Sequence, residues 1–290
     1  MMNNPADGLS LSKPSIRDVR ALDRLLSNAR WQHVHLDWFE AHEMISLPPI
    51  LLARKGNLPV ACLSCPPEPE RIGWLRLFLV ASGYEPEAIW DMIWPALRKE
   101  FAAEGMDQIA ALCTHHWLPP LLYKAEFRYV TDVIFLECDL SAPVNPGAPA
   151  IHIRNITEHD LPALTRLDHR AFSPIWRHSL DAMGRAWKQS ALATVIEREG
   201  KLLGYQISTT SVFGAHLARV AVDPAFHGQG LGTALVSDCL QTLRRQGHLL
   251  ISVNTQADNL ASQRLYERLG FSRTGTRFPV LSRHIHPEIV

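Results

Sequence analysis

The stretch Val220-Ala-Val-Asp-Pro-Ala-Phe-His-Gly-Gln-Gly-Leu-Gly232 organises the interpretation of the whole chain. An apolar, β-branched run ends at Asp223-Pro224, a loop follows, and three glycines open a helical pattern of Leu231, Leu235, Cys239 and Leu243. Glycine lets the backbone approach a ligand closely, and the free N–H groups of a first helical turn attract negative charge. The stretch therefore predicts a strand, an anion-binding turn and a helix N-terminus, although a plain turn would need only one glycine.

The length and composition of the chain fit two ordinary domains. Its 290 residues, of which 47% are hydrophobic, are enough to bury two separate cores. The 29 basic residues balance the 29 acidic ones, which argues against a general binder of nucleic acid or anionic membrane. The first residues carry no signal-peptide pattern, and no apolar run reaches the length of a membrane span. We expect a soluble, cytoplasmic protein.

The cysteines and histidines do not predict a metal site. Five cysteines in a chain without a secretion signal indicate free thiols, and Cys62-x-x-Cys65 has no second pair at zinc spacing. We interpret these two as buried, hydrophobic thiols. The remaining candidates lack matching ligands and are interpreted as loop and surface residues: His33, His35, His115 and His116.

Periodicity predicts two copies of one α/β unit joined by a linker. The first half reads β-α-α-β-β-β-α-β-α-β, with its second helix expected over Trp31 to Ile45. The segment from Ser141 to Ala150 holds three prolines and a glycine, which favours an extended linker. We therefore expect domains at 1–140 and 151–290, separated by 141–150. The fold class is α/β, with a mixed sheet and flanking helices in each domain.

The second half repeats the first at a spacing of 142 residues. The run that begins Asp-Val-Arg-Ala-Leu at Asp18 matches Asp-Leu-Pro-Ala-Leu at Asp160. Gly105 and Gly247, each placed after a long helical pattern, have the same spacing. Two copies with so long a period indicate a domain duplication.

Two motifs in the second half resemble those of the GNAT superfamily, the acyl-CoA-dependent N-acyltransferases. His227-Gly-Gln-Gly-Leu-Gly232 is similar to the family's pyrophosphate loop, [Arg/Gln]-x-x-Gly-x-[Gly/Ala]. Asn259 to Phe271, with Leu265-Tyr266 and Gly270-Phe271, is similar to its second motif. His227 departs from the usual Arg or Gln, but it can still donate a hydrogen bond to a phosphate. The order of elements also matches, in outline over the first half.

The resemblance implies an acetyl-CoA site and names the residues that form it. Backbone N–H groups from Gln229 to Thr233 would hold the pyrophosphate, helped by the helix dipole. The preceding strand would splay from its neighbour and pair with the pantetheine arm, which Asn259 would also contact. The full expected set is Val220, Ala221, Val222, His227, Gly228, Gln229, Gly230, Leu231, Gly232, Thr233, Asn259, Ser262 and Tyr266.

The same resemblance suggests the catalytic groups. Tyr266 is the candidate general acid, because a phenol within reach can protonate the thiolate that leaves when an amine attacks the thioester. His216 stands where histone-type members carry their basic Glu, and an imidazole suits proton abstraction near neutral pH. A second position used by other members is Asn254 here, which cannot act as a base.

The first half lacks every one of these features. At the 142-residue spacing the glycine loop falls on Glu85-Pro-Glu-Ala-Ile-Trp90, where carboxylates replace glycines and Pro86 has no N–H. At a spacing of 144, Tyr266 falls on Leu122 and Asn259 on His115. We expect a degenerate copy that binds no CoA.

The prediction is a tandem enzyme, an N-acetyltransferase in which an amine attacks acetyl-CoA directly in a ternary complex. No cysteine lies in either motif, so no covalent acyl-enzyme is indicated. The alternative is a non-catalytic acyl-CoA sensor that engages a partner protein. The acceptor stays open among small amines, aminoglycoside-like molecules and peptide N-termini. We expect no nucleic-acid or membrane partner, no metal, and a monomer or homodimer.

Overall fold

The computed structural model describes residues 8–36, 38–39, 41–44, 47–68, 71–141 and 151–285. The first half of the chain forms the following elements: β1 (Leu9–Ser12), α1 (Val19–Asn28), β2 (Trp31–Val34), α2 (Ala41–Met44), β3 (Ile50–Lys55), β4 (Leu58–Ser64), β5 (Ile72–Trp74), β6 (Leu77–Val80), α3 (Pro86–Ala103), β7 (Gln108–Leu112), α4 (Leu118–Lys124) and β8 (Arg128–Asp139).

The second half repeats this order without the extra short elements. Its elements are β9 (Ile153–Asn155), α5 (Leu161–Ala171), α6 (Leu180–Lys188), β10 (Leu192–Arg198), β11 (Lys201–Ser211), β12 (Gly214–Val222), α7 (Leu231–Arg245), β13 (Leu250–Gln256), α8 (Leu260–Arg268) and β14 (Ser272–His284). The α/β fold class with mixed sheets is confirmed, because antiparallel strands surround the parallel pairs β12–β13 and β5–β7. None of the helices in the described ranges combines the length and hydrophobicity needed to cross a bilayer.

The compact units do not follow the expected linker. One unit is 1–130 with 279–290, and the other is 131–278. In the second unit β8 runs antiparallel to β13, and in the first unit Val280 to His284 of β14 run antiparallel to β7. Each half of the sequence thus ends in a strand that leaves its own half and supplies part of the other unit. The compact units therefore do not begin and end at the predicted domain bounds of 140 and 151. Most of the predicted linker, 142–150, lies outside the described residues.

The first unit corrects the sequence-based expectation for its second helix. Trp31 to Val34 form strand β2 in a sheet of order β1-β3-β4-β6-β2, and of the residues described between 31 and 45 only Ala41–Met44 are helical. Residues 31–34 are aromatic, polar or β-branched, so they suit a pleated strand that is buried on one face. His33 is fully buried on this strand, not a surface residue, and burial lowers its pKa to about 4. The neighbouring core is rich in aromatic side chains, including Trp90, Phe101 and Phe127.

The second unit places its strands in the order β14-β8-β13-β12-β11-β10-β9. One face is covered by α7, whose apolar stripe buries Val236, Leu240 and Leu243 against Leu217 and Ile251, and Tyr266 of α8 joins the same cluster. Helix α5 packs against β11 and β12 with Leu161, Leu164 and Leu167 buried. This arrangement brings the N-terminus of α7 and the C-terminal end of β12 to the same end of the sheet, where the loop Asp223–Gly230 connects them.

Candidate functional site

The three glycines of the loop between β12 and α7 serve two different structural needs. Gly228 and Gly230 both have φ of +77°, a left-handed conformation that side chains other than glycine adopt at a cost. Gly232 lies inside the helix, where an added Cβ would lie 3.3 Å from Leu265 Cδ2 and 3.8 Å from Val222 Cγ2. The first two glycines therefore shape the loop, and the third lets α7 pack closely against α8 and β12.

The first turn of α7 has backbone N–H groups that are not used within the helix, and the loop before it is exposed. The first intrahelical hydrogen bond of α7 runs from the Ala234 N–H to the Gly230 carbonyl oxygen over 2.9 Å. The N–H groups of the helix residues before Ala234 therefore have no partner within the helix. Gly228, Gln229 and Gly230 are exposed, whereas Leu231 is buried in an apolar cluster that anchors the helix. The combination of free N–H groups, a helix dipole and an open glycine loop suits a phosphate group.

His227 is held differently from the expectation that it donates to a phosphate. Its Nε2 lies 3.0 Å from the Val222 carbonyl oxygen, to which it donates. This contact ties the loop back to the end of β12 and commits one ring nitrogen to the backbone. Only Nδ1 is left for a ligand, so the anion-binding capacity of the loop depends on backbone N–H groups.

Strand β12 separates from β13 shortly after the two strands begin to pair. The parallel pairs are Ala215–Ile251, His216–Ser252 and Leu217–Val253. Beyond Leu217 no residue of these two fully described strands pairs with the other, although both continue. Against β11, Ile207 faces Arg219 and Ser208 faces Leu217, which makes Ala218 the extra residue of a β-bulge. A bulge bends its strand, so Ala218 explains why Val220, Ala221 and Val222 leave an open edge.

Tyr266 is nearly buried at 5% exposure and packs against Phe271 with ring centroids 5.5 Å apart. No described residue hydrogen-bonds to its hydroxyl, which is consistent with a group kept free for a ligand. Burial raises the pKa of Tyr266 above its usual value, and the positive charge of Arg219 opposes part of that shift. The phenol is therefore protonated at neutral pH, as a proton donor must be.

Asn259 and Ser262 lie at the start of α8, and Asn259 has a structural duty. Its Oδ1 accepts the Ser262 N–H over 3.1 Å and so caps the helix. The side-chain amide N–H groups of Asn259 stay available for a ligand. The cap also fixes the orientation of the helix turn that carries Ser262 and, one turn later, Tyr266.

His216 lies half-buried on β12, on the sheet face opposite Leu217. Its Nδ1 is 2.9 Å from Ser252 Oγ, and that hydroxyl lies 3.4 Å from the Ala215 carbonyl oxygen. The Ser252 hydroxyl can donate to that carbonyl and accept from Nδ1–H, so that Nε2 is the ring nitrogen that can take up a proton. Burial lowers the pKa of His216, and a hydrogen bond with Asn254 opposes part of that change. The predicted base and the Asn that replaces the alternative base are thus neighbours.

Sequence reasoning missed the buried ion pair between Arg219 on β12 and Asp168 on α5. Arg219 Nη2 lies 2.7 Å from Asp168 Oδ2, and the side chains are 11% and 0% exposed. A signal existed, since Asp168 stands seven residues after Leu161 and four after Leu164, in an apolar-face position of α5. A carboxylate in that position needs a buried cation, but the sequence does not indicate which one.

The described residues hold no group of three or more His, Cys, Asp or Glu side chains suited to a metal ion. The five cysteines are all buried and free. Burial raises the pKa values of Cys62, Cys113 and Cys239 to about 12, so these thiols are poor nucleophiles at neutral pH.

The chain is similar to known acetyltransferases in sequence. Residues 161–271 match the model of the acetyltransferase (GNAT) family. The chain is 30% identical to the [ribosomal protein bS18]-alanine N-acetyltransferase of Escherichia coli (strain K12), over 43% of this chain and 83% of that protein. It is also 30% identical to the mycothiol acetyltransferase of Amycolatopsis mediterranei (strain U-32), over 76% of this chain and 82% of that protein. The second similarity extends over both halves.

The fold is similar to that of a solved tandem protein. A tandem GNAT protein from the clavulanic acid biosynthesis pathway superposes with a TM-score of 0.65 at 17% identity. The superposition covers 97% of this chain and 99% of that protein. At this identity the similarity concerns the fold, and it supports the duplicated arrangement of the two halves.

Proposed function

Because this chain belongs to the GNAT family of acetyltransferases, we propose that its second half transfers acetyl from acetyl-CoA to a primary amine by direct attack. The observation that carries the proposal is the opening between β12 and β13 beside the left-handed glycine loop. An open strand edge and an anion-binding helix start, adjacent along the chain, suit a ligand with an amide-containing arm and a pyrophosphate.

The cofactor would lie along β12 and end at the loop. The N–H groups from Gln229 to Thr233 would bind the pyrophosphate, and the open edge from Val220 to Val222 would pair with the amides of the pantetheine arm. Asn259 would contribute its side-chain N–H groups, since its oxygen caps α8. Ser262, one turn before Tyr266 on the same helix face, would face the same ligand.

In the reaction, the amine nitrogen attacks the thioester carbonyl carbon, and the C–S bond breaks as the tetrahedral intermediate collapses. His216 Nε2 takes the proton from the amine, and Tyr266 donates its hydroxyl proton to the departing CoA sulfur. The buried environment suits both roles, because it keeps the imidazole neutral and the phenol protonated. Both groups act on a ternary complex without a covalent enzyme intermediate.

The first half would not bind CoA, and its helix α3 provides one reason. Residues Pro86 to Trp90, the counterparts of Gly228 to Gly232, are already helical because α3 begins at Pro86. The backbone therefore has no left-handed loop at this place, and Glu87 adds a negative charge where the anion would lie. An anion approaching this helix start would be repelled.

Strand β2 provides a second and independent reason. Strand β6, Leu77–Val80, is the counterpart of Arg219 to Val222 at the 142-residue spacing. The edge of β6 that corresponds to the open edge of β12 is filled by β2, with the pairs Trp31–Val80, Gln32–Leu79, His33–Phe78 and Val34–Leu77. A paired edge has no backbone groups left for a pantetheine arm. We therefore propose one acetyl-CoA site per chain, in the second half.

A thiol-release screen with acetyl-CoA tests the proposed function. The acceptors are a small polyamine, an aminoglycoside and a peptide with an N-terminal alanine, the last because one relative is named for an alanine acceptor. Turnover that depends on the acceptor and is lost in Tyr266→Phe supports the enzyme. Tight binding of acetyl-CoA without turnover of any acceptor class would support a non-catalytic sensor instead.

A further inference from the structure

Arg219 and Asp168 form a buried ion pair at the point where β12 separates from β13. Arg219 donates to Asp168 Oδ2 from Nε over 2.9 Å and from Nη2 over 2.7 Å. Tyr205 donates its hydroxyl to the same carboxylate oxygen over 2.5 Å. Arg219 immediately follows the bulge residue Ala218 and precedes the open edge, so the pair is located at the strand opening itself.

The pair holds the segment between α5 and α6 onto the strand. Arg219 Nη2 donates to the Trp176 carbonyl oxygen over 2.6 Å, and Arg219 Cζ lies 3.7 Å from the centroid of the Phe172 ring. On the other partner, Asp168 Oδ1 accepts the His178 N–H over 3.0 Å. The two charged side chains therefore contact the segment at three places, Phe172, Trp176 and His178.

This segment presents an apolar wall beside the opening. Phe172, Ile175 and Trp176 are only half-buried, so part of each apolar side chain contacts solvent. The segment itself is held by Arg219 and Asp168. Because Arg219 stands just beyond the last β12–β13 pair, the wall that it contacts lies next to the strand opening. A buried ion pair adds little net stability compared with an apolar pair of similar volume, which favours a positioning role.

We propose that Arg219 and Asp168 are positioning residues that hold the Phe172–His178 wall over the strand opening and thereby set the affinity for the amine acceptor. The proposal rests on the proposed function of the second half. It also specifies the acceptor chemistry: a primary amine carried on an apolar group that packs against the wall. The pair acts through the wall and does not contact the reacting atoms.

The test compares three variants of the full-length chain. Arg219→Lys keeps the charge but loses the planar fork that bonds Asp168 and the Trp176 carbonyl together. The double variant Arg219→Gln/Asp168→Asn removes both charges and leaves no unpaired buried ion, so it guards against loss of folding. Arg154→Met is the control, since Arg154 on strand β9 forms a similar fork with Asp160, just before α5, and with Glu197 on β10.

Two readouts separate this proposal from the proposed function. The hydrogen-exchange rate of the backbone amides in 172–178 measures how firmly the wall is held, and it needs no turnover. We expect at least tenfold faster exchange in both Arg219 variants and an unchanged rate in Arg154→Met. In Arg219→Lys, which keeps the positive charge that acts on Tyr266, KM for whichever of the three screened amines is acetylated should rise at least tenfold. In the same variant kcat should fall less than threefold and the Kd of acetyl-CoA should change less than twofold.

The outcomes are distinct. Unchanged exchange in amides 172–178, or a fall in kcat with KM unchanged, would overturn the positioning role even if the enzyme is active. Absence of turnover with every amine would refute the proposed function, and the exchange measurement would then decide alone whether the pair holds the wall.

Discussion

The sharpest test of the anion site is a pair of matched alanine substitutions at the two ends of α7. Gly230 precedes the helix with φ of +77°, and Gly247 follows it with φ of +90°. At both positions an added Cβ would meet no protein atom within 4 Å, so only backbone strain distinguishes Ala from Gly in the free protein. A left-handed alanine costs about 1–2 kcal/mol, and each variant should lose that much stability.

The two variants should differ in cofactor affinity. The methyl group at Gly230 stands in the open space where the pyrophosphate would lie, and strain at this residue tilts the adjacent N–H groups. Loss of one charged hydrogen bond costs about 1.5–3 kcal/mol, which raises the Kd of acetyl-CoA roughly 10- to 150-fold. Gly247→Ala should leave that Kd within twofold, because it lies at the opposite end of the helix.

The assay is isothermal titration with acetyl-CoA, paired with thermal unfolding of each variant. A loss of 1–2 kcal/mol should lower the Tm by about 2–8 °C in both variants, for a unit of this size. Equal effects of both substitutions on Kd would mean that only stability matters. A twofold or smaller change in Gly230→Ala would refute the assignment of the loop to the pyrophosphate.

Four further outcomes follow from the site. Titration with acetyl-CoA should saturate at one molecule per chain, and a stoichiometry of two would contradict the closed first half. Tyr266→Phe should lower kcat about 100-fold, as expected for loss of a general acid, with the Kd of acetyl-CoA nearly unchanged; an unaltered kcat would remove Tyr266 from the mechanism. The neutral form of His216 is the base and burial lowers its pKa, so kcat/KM should rise with pH through a pKa below 6.5 and then level off as far as His216 is concerned. His216→Ala should lose this pH-dependent rise, and an identical pH profile in the variant would exclude His216 as the base. Iodoacetamide at pH 7 should leave activity intact, because every cysteine is buried; rapid inactivation would point to a thiol in the reaction.

Local sequence was sufficient for the features that depend on local backbone geometry. Gly228 and Gly230 are needed because their backbone is left-handed, and the pattern that follows them is amphipathic, so loop and helix could both be predicted. Helix α3, Pro86–Ala103, also follows local signals, since proline at its start and glycine after its end mark the bounds of a helix. The predicted position of Tyr266 on α8 was also local in origin.

Other features depend on partners that are distant in the sequence. Trp31 to Val34 has a pattern that suits helix or strand, and it became a strand because β6 offers a free edge there. The bulge at Ala218 arises only when β12 and β11 align, and it determines where the opening begins. No pattern along the chain paired Arg219 with Asp168, 51 residues away.

The sequence alone determined that one of the two duplicated halves kept the glycines, Asn259 and Tyr266, because side-chain type and backbone freedom are properties of each residue by itself. Only the tertiary structure decided that β8 and β14 complete the other unit, that β2 fills the edge of β6, and that Arg219 holds the wall beside the open edge of β12. Strand pairing and buried charge pairing are interactions between segments far apart in the chain, so their free energy is decided by which segments meet in the folded protein.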